Sequence, residues 1–167
     1  MKRITLACLL LLGLLFVTAA AAASYRTVAI KQAGLTLQVP SPWKAVTVER
    51  TVYAARDESE RGGFQSNVNV VVVPLRRVVP LKEYRLLLLA ELKKAGGIGI
   101  TAAIVHLRAG DAVRAAYKLR GRGTILAGTQ VCFSRGLKSI VITYTRPNKN
   151  RKVTSIFAHS IASIRFR

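Results

Sequence analysis

Four β-prone runs separated by glycine turns constrain the fold of this chain more than any other feature. They are Gly99–Leu107, Ala112–Arg120, Thr124–Phe133 and Lys138–Thr145. Between them lie Ala109-Gly110-Asp111, Gly121-Arg122-Gly123 and Arg135-Gly136, connections of hairpin length carrying the residue that tolerates positive φ. Strands joined so closely pair with their sequence neighbours, so the segment predicts an antiparallel meander. Alternation then orients it. Val113, Ala115, Tyr117 and Leu119 share one face of the second run, and Arg114, Lys118 and Arg120 share the other. In the fourth run Ile140, Ile142 and Tyr144 oppose Ser139, Val141, Thr143 and Thr145.

An apolar sheet face needs a cover, and the chain supplies two helices. Val153, Ile156, Phe157, Ser160, Ile161 and Ile164 recur at helical spacing near the C-terminus, with Asn148 or Asn150 placed to cap the start. A second helix is predicted from Leu81 to Lys94, opened by Pro80 and stopped by Gly96-Gly97. Its run Leu86–Leu89 is apolar over more than one face, which predicts deep burial. Upstream, Thr27–Ile30 and Leu35–Val39 flank a Gly34 turn, and Pro40-Ser41-Pro42-Trp43 forces an extended corner. Val46–Val48 and Val52–Ala55 read as a further pair of strands, Asp57–Gly63 as a loop, and Asn67–Val73 as a strand ended by Pro74. The expected class is α+β, a mainly antiparallel sheet covered by helices.

The N-terminus indicates where such a domain works. Lys2 and Arg3 precede an apolar run from Ile4 to Val17, and Ala19–Ala23 follows Thr18. This is the pattern of a secretory signal peptide over residues 1–23, with Ser24 as the mature start and residues 24–167 as one domain. A retained membrane anchor of the same length is the alternative, and a lipoprotein at Cys8 is disfavoured because almost no apolar run precedes it. The expected location is periplasmic or secreted. Without the leader a single cysteine, Cys132, remains, so no intrachain disulfide is available and stability rests on packing.

Charge is the unusual quantity. The chain has 27 Lys+Arg against 7 Asp+Glu, and removing Lys2 and Arg3 leaves 25 against 7, a net +18. The bases are spread along the sequence, a field that attracts polyanions such as acidic lipid, polysaccharide or extracellular DNA. Few aromatics accompany them, which argues against sequence-specific reading of nucleic acid.

Several strings in their order resemble the PsbP/DcrB-like domains. They are Leu35-Thr36-Leu37-Gln38-Val39-Pro40 with Trp43-Lys44, Asn67-Val68-Asn69-Val70-Val71-Val72, Leu81-Lys82-Glu83-Tyr84, Ala115-Ala116-Tyr117, Ile142-Thr143-Tyr144 and Ser163-Ile164-Arg165-Phe166. The resemblance implies an α-β-α sandwich and an extracytoplasmic, non-enzymatic role as assembly subunit, adaptor or chaperone-like binder. It implies no catalytic residues and no cofactor.

The residues themselves point the same way. Cys132 lies between Val131 and Phe133, where a buried thiol is ordinary core material, and a thiol enzyme would need His106 or His159 in contact with it. The two histidines, one thiol and scattered carboxylates lack the short spacing of zinc sites. Asp57, Glu58 and Glu60 are flanked by Arg56 and Arg61, which favours ion pairing over calcium. Gly96-Gly97-Ile98-Gly99 ends a helix instead of opening one and has no P-loop lysine. Trp43 is expected to pack over the sheet end. Asn67 and Asn69 are expected either to satisfy neighbouring backbone or to line a groove. What remains is a binding surface built on Arg114, Lys118, Arg120 and Arg122, extended by Arg76 and Arg77. The expected partner is an envelope or secreted protein, with a general polyanion binder for acidic lipid, polysaccharide or nucleic acid as the alternative.

Overall fold

The computed structural model describes residues 24–60, 63–121 and 123–167. The expected leader with Cys8, and Arg61 and Arg122, lie outside the described residues. The chain forms β1 (Tyr25–Ile30), β2 (Leu35–Pro40), β3 (Lys44–Ala45), β4 (Tyr53–Arg56) and β5 (Asn67–Pro74), then α1 (Leu81–Lys94). It continues with β6 (Ile98–Leu107), β7 (Gly110–Gly121), β8 (Thr124–Arg135) and β9 (Lys138–Pro147), and ends with α2 (Val153–Ala162) and β10 (Arg165–Phe166).

The meander forms as alternation and turn chemistry dictate, with β6, β7, β8 and β9 pairing antiparallel in succession. In this large sheet one pairing is non-local: β5 joins β9, Asn67 opposite Thr145 and Pro74 opposite Lys138. The resulting seven-stranded order is β3-β4-β5-β9-β8-β7-β6, and β1-β2-β10 form a separate three-stranded sheet.

The pleat sorts side chains into two cores. On one face Val68, Val70, Val131, Phe133, Ile140, Ile142 and Tyr144 pack against Val153, Phe157 and Ile161 of α2 and Leu35, Leu37 and Val39 of β2. On the other, Ala115 and Tyr117 meet Leu92 of α1. The layers are therefore α1, the large sheet, and a third layer shared by α2 and the small sheet. This is the expected helix-covered α+β sandwich. Tyr117 stands opposite Gly128 and its ring fills the space that a Cβ there would need, so the glycine admits the tyrosine.

Three local expectations are corrected. Helix α1 has the expected ends, but it is not deeply buried: Leu86 and Leu87 are 59% and 50% exposed, and among its residues Leu92 alone is buried. Consecutive leucines fan around a 3.6-residue helix, and the sheet covers only the face carrying Leu88 and Leu92. Val46–Val48 is not a strand. Val46 donates to Ala54 O at 3.0 Å, after which the chain turns at Glu49-Arg50, with Arg50 at φ 62°. Neither asparagine caps α2. Lys152 holds the cap position with helical dihedrals, Thr154 N–H is satisfied by Arg151 O at 3.0 Å, and Asn150 bonds Glu60 instead.

Candidate functional site

Strand β7 carries the expected basic residues at alternate positions, so the pleat sends them to one face. Arg114, Lys118 and Arg120 are all exposed there. Register places Ala103 of β6 and Val131 of β8 beside Arg114, Ala127 beside Lys118, and Ile125 beside Arg120. Ala127 in turn faces Arg146 of β9, which adds a further base to the row. Arg146 donates to Pro147 O at 3.1 Å and Asn148 O at 2.9 Å, and burial, then the charge of Arg151, lowers its pKa from the usual guanidinium value. The ion pairs among the described residues are Arg50–Glu49, Arg56–Glu58, Arg77–Glu83 and His106–Asp111. None of them includes a base of the β7 row. Among the described residues the strip therefore has no ion-pair partner.

Arg76 and Arg77 do not join that strip. Pro74 aligns with Lys138, and Lys138 with Arg135, so the loop after β5 sits at the Arg135 end of β8, whereas Arg120 sits beside Ile125. From that end Arg120 is ten strand residues away, roughly 33 Å at ~3.3 Å each, and Arg114, beside Val131, is four residues along, roughly 13 Å, and three strands across from β5. Arg77 is also engaged, its Nη1 donating to Glu83 Oε2 at 3.0 Å, which raises the arginine pKa and lowers the glutamate's.

Cys132 is fully buried, with Tyr84 beside it, and desolvation pushes its thiol up to about 12. A nucleophilic thiolate needs the opposite shift. The histidines bond elsewhere: His106 Nδ1 meets Asp111 Oδ1 at 2.6 Å, and His159 Nε2 donates to Gln38 Oε1 at 2.6 Å. The loop carboxylates are likewise used locally. Asp57 accepts from Ser59 N–H at 3.0 Å, and Glu60 accepts from Ser66 Oγ at 2.8 Å. Among the described residues no three His, Cys, Asp or Glu side chains are grouped to hold a metal, and no helix is long and apolar enough to cross a membrane.

The two histidines nevertheless share one open cleft of about 680 Å³, with Gln38, Arg108, Ser163 and Arg165 also in its wall. Tyr25 stacks on His159 with ring centroids 3.9 Å apart. Sequence reasoning missed this gathering. It depends on β2 lying beside β10 and on α2 crossing β2, neither of which leaves a mark in local spacing. Trp43 is core: it is buried and meets Phe157 edge-on at 6.1 Å. Asn67 meets both expectations and Asn69 the second. Asn67 Nδ2 donates to Gln65 O at 3.0 Å, and Asn67 and Asn69 line a groove of about 540 Å³ with Val48 and Phe64.

No protein-family model matches the sequence, and neither does any curated protein. Solved structures do match. Cyanobacterial PsbP (CyanoP) from Synechocystis superposes with a TM-score of 0.60 at 17% identity, over 89% of this chain and 96% of that one. The Saccharomyces cerevisiae Ran-binding protein Mog1p gives 0.61 at 9% identity, over 87% and 96%. The chain has the PsbP/Mog1-like fold. LpqN, involved in cell envelope biogenesis of Mycobacterium tuberculosis, shares it with a TM-score of 0.62 at 12% identity, over 85% of this chain and 90% of that one. A Bacteroides thetaiotaomicron protein matches 81% of this chain, which spans 46% of its length. At these identities the PsbP/Mog1-like likeness is one of fold, and the surfaces must speak for themselves.

Proposed function

We propose that residues 24–167 are an exported, non-catalytic binding domain that captures an acidic protein partner in the envelope or secreted space. The observation that carries this reading is the strip Arg114, Lys118 and Arg120, exposed on one strand face with no ion-pair partner among the described residues. Such a strip steers association and selects acidic surfaces. The leader-like residues 1–23 support export. Among proteins of the same fold, one is a Ran-binding protein and another is involved in cell envelope biogenesis, which supports partner binding on this scaffold.

Crosslinking in native envelope, comparing the wild type with an Arg114→Glu/Lys118→Glu/Arg120→Glu variant, tests the proposal. The wild type captures a discrete protein species and the triple variant loses it while melting at the same temperature. Equal capture by both removes the strip from the site. Binding that falls log-linearly with salt and is indifferent to whether the ligand is an anionic vesicle, acidic polysaccharide or DNA assigns the protein to general polyanion binding instead.

A further inference from the structure

The large sheet has two edges of different construction. β3 is two residues long and begins with Lys44, the short, charged form that discourages strand addition. β6 is ten residues long, Ile98-Gly99-Ile100-Thr101-Ala102-Ala103-Ile104-Val105-His106-Leu107, and contains no Lys, Arg, Asp, Glu or Pro. In a chain with 27 Lys+Arg that gap is informative, because basic residues are the commonest guard of an open edge. The β6–β7 register shifts between Ile98 and Thr101 but is regular from Thr101 to Leu107. Over that stretch alternate residues turn unpaired N–H and C=O groups outward.

Both flanks of this edge match a particular kind of strand. On the α1 side, Leu86 and Ile104, 59% and 41% exposed, border a groove of about 630 Å³ lined by Lys82, Arg85 and Glu83, the last already paired with Arg77. On the opposite side Ala103 stands between the edge and the exposed Arg114, its register partner on β7. A strand laid on β6 would place its side chains two strand spacings, about 9.5 Å, from β7. An extended arginine and a glutamate reach each other across that gap when the residue between them is alanine.

We propose that β6 takes up an extended acidic segment of the partner as an added strand. Its apolar residues face Leu86 and Ile104, and its carboxylates, at alternate positions, face Arg114. The inference rests on the basic strip being a protein-binding surface and adds the mode of recognition. A second copy of the chain is disfavoured, since antiparallel β6 edges would bring like charges, Arg114 on one flank and Lys82 and Arg85 on the other, together from both copies, with no acidic residue on β6 to pair them.

The test uses the purified protein and two synthetic peptides of equal composition, one alternating glutamate with valine and one with the glutamates grouped at one end. The alternating peptide binds about tenfold more tightly than the grouped one, and its binding slows amide exchange in β6. Ile104→Lys and Arg114→Glu each weaken it about tenfold, the first by charging the groove and the second by reversing a rim charge, with melting temperatures unchanged. Equal binding of both peptides, with loss on Arg114→Glu but neither loss on Ile104→Lys nor protection of β6, overturns strand addition and leaves the basic strip standing. Binding of neither peptide, together with unchanged envelope capture by the triple-reversal variant, overturns both. Sedimentation of the unliganded protein as a dimer that Ile104→Lys dissociates would assign the edge to a second copy and overturn the inference.

Discussion

Ser160 tests the packing of α2 on the sheet through a chain of two buried hydrogen bonds whose direction is forced. Its hydroxyl lies 2.5 Å from Gln38 O, and a carbonyl can only accept, so the single Ser160 proton is committed there. Tyr144 Oη lies 3.0 Å from the same Ser160 oxygen, so the tyrosine must donate. Both residues are buried, Tyr144 to 1% and Ser160 to 2% exposure. Tyr144→Phe removes one neutral bond and leaves Ser160 satisfied through its own proton, a loss of ~1 kcal/mol. Ser160→Ala strands the Tyr144 hydroxyl without water and also deprives Gln38 O of a donor, which together cost ~2–4 kcal/mol. Adding Tyr144→Phe to Ser160→Ala deletes the stranded hydroxyl, so the double variant should be more stable than Ser160→Ala alone by ~1 kcal/mol. Urea unfolding reads this as a midpoint rise of about 0.5 M at an m-value of ~2 kcal/mol/M, with the slope unchanged. Additive losses, with the double variant the least stable of the three, would refute the donor assignment and the dryness of the interface.

Gly128→Ala drives a methyl group into the Tyr117 ring and should cost ~1–3 kcal/mol by chemical denaturation, and a loss below ~0.5 kcal/mol would show that the ring moves aside. Alkaline pH should weaken the fold through groups that burial keeps protonated. Cys132 is raised from 9.0 to about 12, and Tyr84 and Tyr117 from 10.0 to about 12, in each case first by desolvation. The unfolded chain therefore releases these protons first. Their contribution is intact below pH ~8 and is lost as pH climbs from ~9 toward ~12. The stability of the wild type relative to Cys132→Ala, measured by urea unfolding, should fall across that window, and a constant difference would contradict the buried, protonated thiol.

Local chemistry made much of this architecture readable in advance. The four meander strands follow from period-two alternation broken by Gly110, Gly121, Gly123 and Gly136, and each observed strand differs from its expected range by no more than two residues at either end. The ends of α1 follow from Pro80 and Gly96-Gly97, which act within one turn of the helix. The basic strip was equally legible, since Arg114, Lys118 and Arg120 share a face by parity alone.

Distance in sequence hid the rest. The exposure of Leu86 and Leu87 depends on how far the sheet extends beneath α1, which four consecutive leucines do not encode. The separation of Arg76 and Arg77 from the strip, and the meeting of His106 and His159 in one cleft, depend on which strands become neighbours. The non-local pairing of β5 with β9 decides that β3 and β6 are the two edges. Secondary structure and the sidedness of each strand came from the sequence because steric and hydrophobic periodicities act over a few residues. Strand order, edge exposure and the grouping of side chains from distant segments came only with the tertiary structure, because contacts between remote parts of the chain are selected by the packing of the whole.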